Sequence, residues 1–287
     1  MFNPQDIKLP TVDFFAVHGS GPNDVYFAGT SGAVLHWDGT KMTSIAVPVQ
    51  DTLRTVFMLS GTQGFMAGDG GAVIELRSRR WVKVSTGSYT DNWKAVAAAT
   101  GPEGLTGWLL GDDKGHRLLY GGGTFAPPKA ADRNTAHKYT AISMLGPTPV
   151  YAVQNNGSGS RVYTYAGVDW SPGPATGALF DIHVRSSTQG VAVGARGSTW
   201  GLGADGKWAA MASRPATGGE DLKAVQMLAP DLIWAGGGRT GLYRFNGSSW
   251  VASSVQAGNR GINDLWIAAD GSEGWAVGDK GLFLRYR

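Results

Sequence analysis

The chain has 287 residues, with 44 glycines, 11 tryptophans, no cysteine and a formal net charge of +3. Glycine is well above its ordinary share of roughly 7%, aromatics make up 10% and charged residues 16%. That mixture excludes a disordered chain, which is poor in aromatics, and a mainly helical one, because each helical glycine costs about 1 kcal/mol. The lack of cysteine excludes a disulfide framework and a thiolate metal site. The small net charge gives no basic face, so no nucleic-acid partner is expected. The densest basic run, RSRRWVK at 77–83, reads as an outer strand whose charges discourage edge pairing, with a phosphate or polyanion patch as the alternative. The opening residues MFNPQDIKLP lack the apolar core of a secretory signal. No stretch approaches the roughly 20 apolar residues of a membrane span. Synthesis in the cytoplasm, with no membrane span, is the expectation.

Taken in order, the chain repeats. FFAV opens at Phe14, LRTV at Leu53, WKAV at Trp93, YTAI at Tyr139, LFDI at Leu179, LKAV at Leu222 and INDL at Ile262, at intervals of 39 to 46 residues. Four-stranded propeller blades have this period. A second apolar run follows in each unit and ends at Gly29, Gly68, Gly111, Gly194, Gly236 or Gly278, with Gln154 in the fourth unit. A glycine there reads as the source of the positive φ that a tight turn needs. Third runs follow as AVLHW, AVIEL, HRLLY, RVYTY, STWGL, GLYRF and GLFLR. The fourth opens on Trp81, Phe125, Trp170, Trp208 or Trp250, with Met42 in that place in the first unit.

The last unit has room for only three strands, whereas residues 1–13 precede the first unit and contain QDIKLPTV, similar to the fourth-strand run RWVKVSTG. A ring closed by its two ends leaves no long free edge. The predicted fold is all-β: one domain over 1–287, a seven-bladed β-propeller of four-stranded blades that begin near 14, 53, 93, 139, 179, 222 and 262. Residues 1–13 supply the closing strand of the C-terminal blade.

Two stretches break the period, APPKAADRNTAHK at 126–138 and NNGSGS at 155–160. Added length on a regular scaffold is a common place for binding. Proline stiffening lowers the ordering cost of an interface, and arginine is a frequent anchor. Arg133, Asn134 and His137 are therefore binding candidates. Trp200 stands in STWGLG where other units have Val, Leu or Arg, and is a fourth candidate. The repeated Trp81, Trp170, Trp208 and Trp250 read as packing between blades, since one such ring buries roughly 150–250 Å²; sugar stacking is the alternative.

Catalytic patterns are sparse. Of four glutamates, Glu103, Glu220 and Glu273 lie in Gly- or Pro-rich turns and Glu75 in a third strand. Asp181 and Asp264 share a repeat position on inner strands, where other units have Ala or Thr; His183 follows Asp181 by two and matches His18. Inner strands line the channel, so these four are the polar channel candidates. A metal-ligand or general-base role is one reading; hydrogen bonding to backbone or water is the other. No HExxH, GxSxG elbow or phosphate loop occurs, and GGGRTG and GGGTF are turn glycines. No catalytic residue, metal or cofactor is expected.

The runs VYFAGTSGAVLHWDG, GFMAGDGGAVIEL and GWAVGDKGLFLRY resemble those of BNR-like propellers, a group that includes sialidases and the photosystem II assembly-factor-like repeat proteins. The resemblance implies a propeller. The sialidase Asp-box needs one residue between its acid and its glycine. Asp38-Gly39, Asp205-Gly206 and Asn246-Gly247 lack it, so the Asp-boxes are not intact. The expected function is a non-catalytic recognition or assembly module, a rigid scaffold that binds a protein partner in a larger assembly of the kind found in a phage tail or injection apparatus of a virion. The alternatives are a carbohydrate-binding lectin, which predicts half-exposed repeated Trp and a glycan ligand, and a glycosidase or lyase of sialidase-like architecture, which predicts converging carboxylates and arginines on one face.

Overall fold

Short β-branched and aromatic runs between glycine turns can bury themselves only by stacking sheets face to face. In the computed structural model, which describes residues 2–4, 12–128, 137–156, 159–239, 241–255 and 258–287, they form seven four-stranded antiparallel sheets. The inner strands are Phe14–Gly21, Leu53–Ser60, Trp93–Gly101, Tyr139–Met144, Leu179–Ser186, Ala224–Ala229 and Ile262–Ile267. We number the blades 1 to 7 in that order. The outer strands of blades 1 to 6 are Met42–Ser44, Arg80–Lys83, Thr124–Ala126, Trp170–Thr176, Trp208–Ala210 and Trp250–Ala252. No helix of the described residues is long and apolar enough to cross a membrane.

The outer strand of blade 7 comes from the other end of the chain. Phe2–Pro4 pairs antiparallel with Phe283–Tyr286, in the register Phe2 to Tyr286 and Pro4 to Leu284. The closing strand is thus Phe2–Pro4; of the QDIKLPTV stretch, residues 5–11 lie outside the described residues. Phe2 is 1% exposed. Its ring packs 5.2 Å from both Trp234 of blade 6 and Tyr286 of blade 7, so one side chain fastens the strand to two blades.

Second strands such as Gln189–Gly194 are buried on both faces, because each lies between neighbouring blades. The repeated outer-strand tryptophans fill the same gaps. Trp81 meets Tyr26 of blade 1 edge-on at 5.5 Å, Trp170 meets Trp108 of blade 3 at 5.2 Å, and Trp208 meets Tyr151 of blade 4 at 6.4 Å. All three are below 8% exposed.

The glycine that ends the second strand has a reason other than positive φ. Gly29, Gly68, Gly194 and Gly278 are extended, with φ of −156°, −171°, −170° and −170°. A Cβ at Gly68 would overlap the Thr52 carbonyl oxygen, one at Gly194 that of Ala178, and one at Gly278 that of Gly261. Each oxygen accepts the N–H of the residue after the glycine, as in Asp69 to Thr52 at 2.9 Å. The left-handed residues come later in the same turn, at Ser31, Gly70, Arg196 and Lys280, each followed by a positive-φ glycine. The next blade caps several of these turns. The N–H of Lys280 donates to Asp13 at 2.7 Å, that of Arg196 to Asp221 at 3.0 Å, and that of Gly70 to Asn92 at 3.1 Å.

Candidate functional site at the central channel

Inner strands of neighbouring blades belong to separate sheets and do not pair with one another, so their N–H groups that face the next blade need another acceptor. Side chains supply it, in a repeating pattern. Counting from the first residue of each opening tetrapeptide, the third-position side chain accepts the N–H of the fourth residue of the next blade. Thr55 does this for Val96 at 3.4 Å, Asp181 for Val225 at 2.7 Å and Asp264 for Val17 at 2.8 Å. The fifth-position side chain likewise accepts the N–H of the sixth. His18 accepts from Met58 at 3.1 Å, Ser143 from Val184 at 2.9 Å, His183 from Met227 at 3.4 Å and Gln226 from Ile267 at 2.7 Å. Blades 3 and 4 are joined by no such bond among the described residues, because blade 3 has Ala95 and Ala97 at these positions.

The four polar channel candidates therefore come together, and each stitches two blades. They line one cavity of about 1120 Å³ along the axis. Asp181 and Asp264 also accept the N–H of their own following residues, Ile182 and Leu265, each at 2.8 Å. Burial pushes the Asp181 carboxyl up to about 7, against the pull of its two backbone N–H donors. Burial raises Asp264 well above the carboxylate range, and the Asp181 charge adds to it. The imidazoles move the other way. Burial lowers His18 to about 4 with help from the His183 charge, and lowers His183 to about 4 with help from Arg185. Because each Nδ1 accepts a backbone N–H, the neutral rings carry their proton on Nε2. Among the described residues no group of three or more acidic or histidine side chains is placed to hold a metal ion.

Sequence reasoning missed the channel mouth. The ladder between inner and second strands skips one residue near the start of six blades, at Phe15, Arg54, Lys94, Thr140, Phe180 and Asn263. Such a bulge re-aims a side chain. With Lys223 of blade 6, these side chains form the rim of the cavity. Phe15 and Phe180 are half-buried there. Arg54 lies 4.8 Å over the Phe15 ring and forms a two-pronged pair with Asp69 at 2.5 and 2.6 Å. Lys94 pairs with Asp112 at 3.2 Å, and Lys223 donates to Asn263 at 3.2 Å. The signal was available: the second letter of each opening tetrapeptide is the one that varies most in chemistry among FFAV, LRTV, WKAV, YTAI, LFDI, LKAV and INDL.

The other candidates sit elsewhere. Arg133 and Asn134 lie outside the described residues. His137 is half-buried, with its ring 5.4 Å from that of Tyr163; burial, then the Arg117 charge, lowers its pKa. Trp200 is half-buried and packs against the core shared by blades 4 and 5. Glu75 is 2% exposed and accepts Tyr120 Oη at 2.9 Å and Arg77 Nε at 2.7 Å, which ties blade 2 to blade 3.

Seven four-stranded blades around an axial channel make this chain a seven-bladed β-propeller. Two solved structures share the arrangement over nearly their whole length. YCF48 from Cyanidioschyzon merolae is 16% identical with a TM-score of 0.78, over 100% of this chain and 98% of its own. YCF48 bound to D1 peptide is 13% identical with a TM-score of 0.74, over 99% of this chain and 96% of its own. At these identities the likeness establishes the fold. No protein-family model and no curated protein matches the sequence.

Proposed function

We propose that this propeller is a non-catalytic recognition module that binds a protein partner over the channel mouth, as part of an assembly. The observation that carries the reading is the bulged rim. Six blades each set one bulged side chain, of five kinds in all, at the same end of the channel, while the carboxyls and imidazoles below are engaged in holding blades together. Variable residues on an invariant frame suit recognition. A YCF48 bound to D1 peptide gives the same fold a peptide ligand, and the sequence resemblance to photosystem II assembly-factor-like repeats points the same way. Burial of Trp81, Trp170 and Trp208 between blades counts against a lectin built on those rings.

The test is a displayed peptide library, a glycan array and a panel of glycosides, each offered to the full chain. Peptides should be enriched, and their binding should fall about tenfold or more in the Phe15→Ala, Phe180→Ala double variant, as for aromatic anchors. Glycan binding without peptide binding would favour the lectin. Glycoside turnover lost in Asp264→Asn would favour the enzyme.

A further inference from the structure

The channel interior has a polarity that blade stitching does not require. Asp264 and Asp181 occupy the third position of their inner strands, and His18 and His183 the fifth. Two residues along a strand separate the carboxyl level from the imidazole level by about 6–7 Å. Side chains two apart point the same way, and all four face the one cavity. Each imidazole has its Nδ1 occupied by a backbone N–H, so each presents a fixed Nε2–H donor to the cavity, with no acceptor for it among the described residues. Across the ring from blade 7 stand blades 3 and 4, whose third and fifth positions are Ala95, Ala97, Ala141 and Ser143. One side of the channel thus offers acceptors at one depth and donors at the next. Below the rim the opposite side carries no charged group among the described residues, and its Ser143 hydroxyl is engaged by the Val184 N–H at 2.9 Å.

We propose that this channel binds a short linear zwitterion, an aliphatic ω-amino acid, with its ammonium between Asp181 and Asp264, its carboxylate on the Nε2–H groups of His18 and His183, and its methylenes along the alanines of blades 3 and 4. Two carboxyls without a cation beside them resist ionising, which is the direction found for both, through burial first and, for Asp264, the Asp181 charge as well. An ammonium between them removes that resistance. The ligand lies below the rim, so the site is independent of protein docking at the mouth, and either can fail alone.

The probe is 5-aminopentanoate, whose four methylenes hold its charges at a comparable separation. It is titrated calorimetrically into the full chain near neutral pH, beside pentylamine and pentanoate. Saturable binding at about 1 mM or tighter is expected, with both singly charged comparators at least tenfold weaker. Carbon NMR should show the Asp264 carboxyl titrating at lower pH when the probe is bound. Asp264→Asn keeps an acceptor for one of the two backbone N–H groups, of Val17 and Leu265, that the carboxyl now serves, and should weaken the probe at least tenfold; His18→Gln should do the same. If either variant unfolds, the comparator series on the unaltered chain decides. No saturable binding up to about 20 mM, or equal binding of pentylamine or pentanoate, overturns the proposal.

Discussion

The channel's acids and imidazoles give this protein opposing pH dependences. Asp264 and Asp181 have raised pKa values, Asp181 to about 7. Their contribution to stability is complete below the ordinary carboxylate pKa and is lost as pH rises through the folded values. His18 and His183, lowered to about 4, contribute fully above the ordinary imidazole value and lose that contribution as pH falls from about 6.5 through 4. Asp264→Asn should therefore gain on the unaltered chain as pH rises from about 5 to 8, and His18→Gln as pH falls below about 6.5. Urea midpoints across this range read both effects, and profiles parallel to that of the unaltered chain would contradict them. The second-strand glycines make a separate residue-scale case. Gly68→Ala drives a Cβ into the Thr52 carbonyl, a backbone group that cannot rotate away, and should cost roughly 2–3 kcal/mol or more. A wild-type melting temperature would contradict it. The sequence pattern marked that a glycine is needed here. It could not distinguish left-handed backbone from clearance for a neighbouring carbonyl, because both leave the same letter.

At the scale of the element, strands and their order were legible because the period of about 40 residues recurs in all seven units. The closing strand was legible as a need and as the segment 1–13 that meets it, but not as the three residues that pair. Three residues carry too little alternation to be recognised, and what fixes Phe2–Pro4 is the burial of Phe2 between blades 6 and 7. Phe2→Ala should cost about 3–5 kcal/mol as a core truncation, measured by chemical denaturation; a loss below about 1 kcal/mol would mean that the ring closes some other way. The stitching rule yields a gain as well. Blade 3 has Ala97 where blade 4 has Ser143, whose hydroxyl accepts the Val184 N–H. Ala97→Ser sets a hydroxyl at the same place facing Met144 of blade 4, and should stabilise the chain by roughly 0.5–1.5 kcal/mol. A loss of stability would mean that the gap between blades 3 and 4 does not follow the geometry of the others.

For the whole molecule, register in the repeat picked out Asp181, Asp264, His18 and His183 as a set, and they do meet in one channel. Their engagement with the next blade depends on the spacing between inner strands, which no single strand records. The rim was missed for a related reason: a bulge shows only when two strands are paired, and Phe15 or Lys94 alone looks like ordinary strand sequence. The proposed function rests on that rim more than on the channel, and protein recognition there is the central claim. Photocrosslinking tests it most directly. A benzophenone amino acid is placed at Phe15 or Phe180 on the rim, or at Val251 on the exposed outer strand of blade 6, and the chain is irradiated in its source cells. Both rim positions should crosslink to the same discrete protein and Val251 should not; crosslinks from Val251 alone, or no protein adduct from the rim, would contradict recognition at the channel mouth.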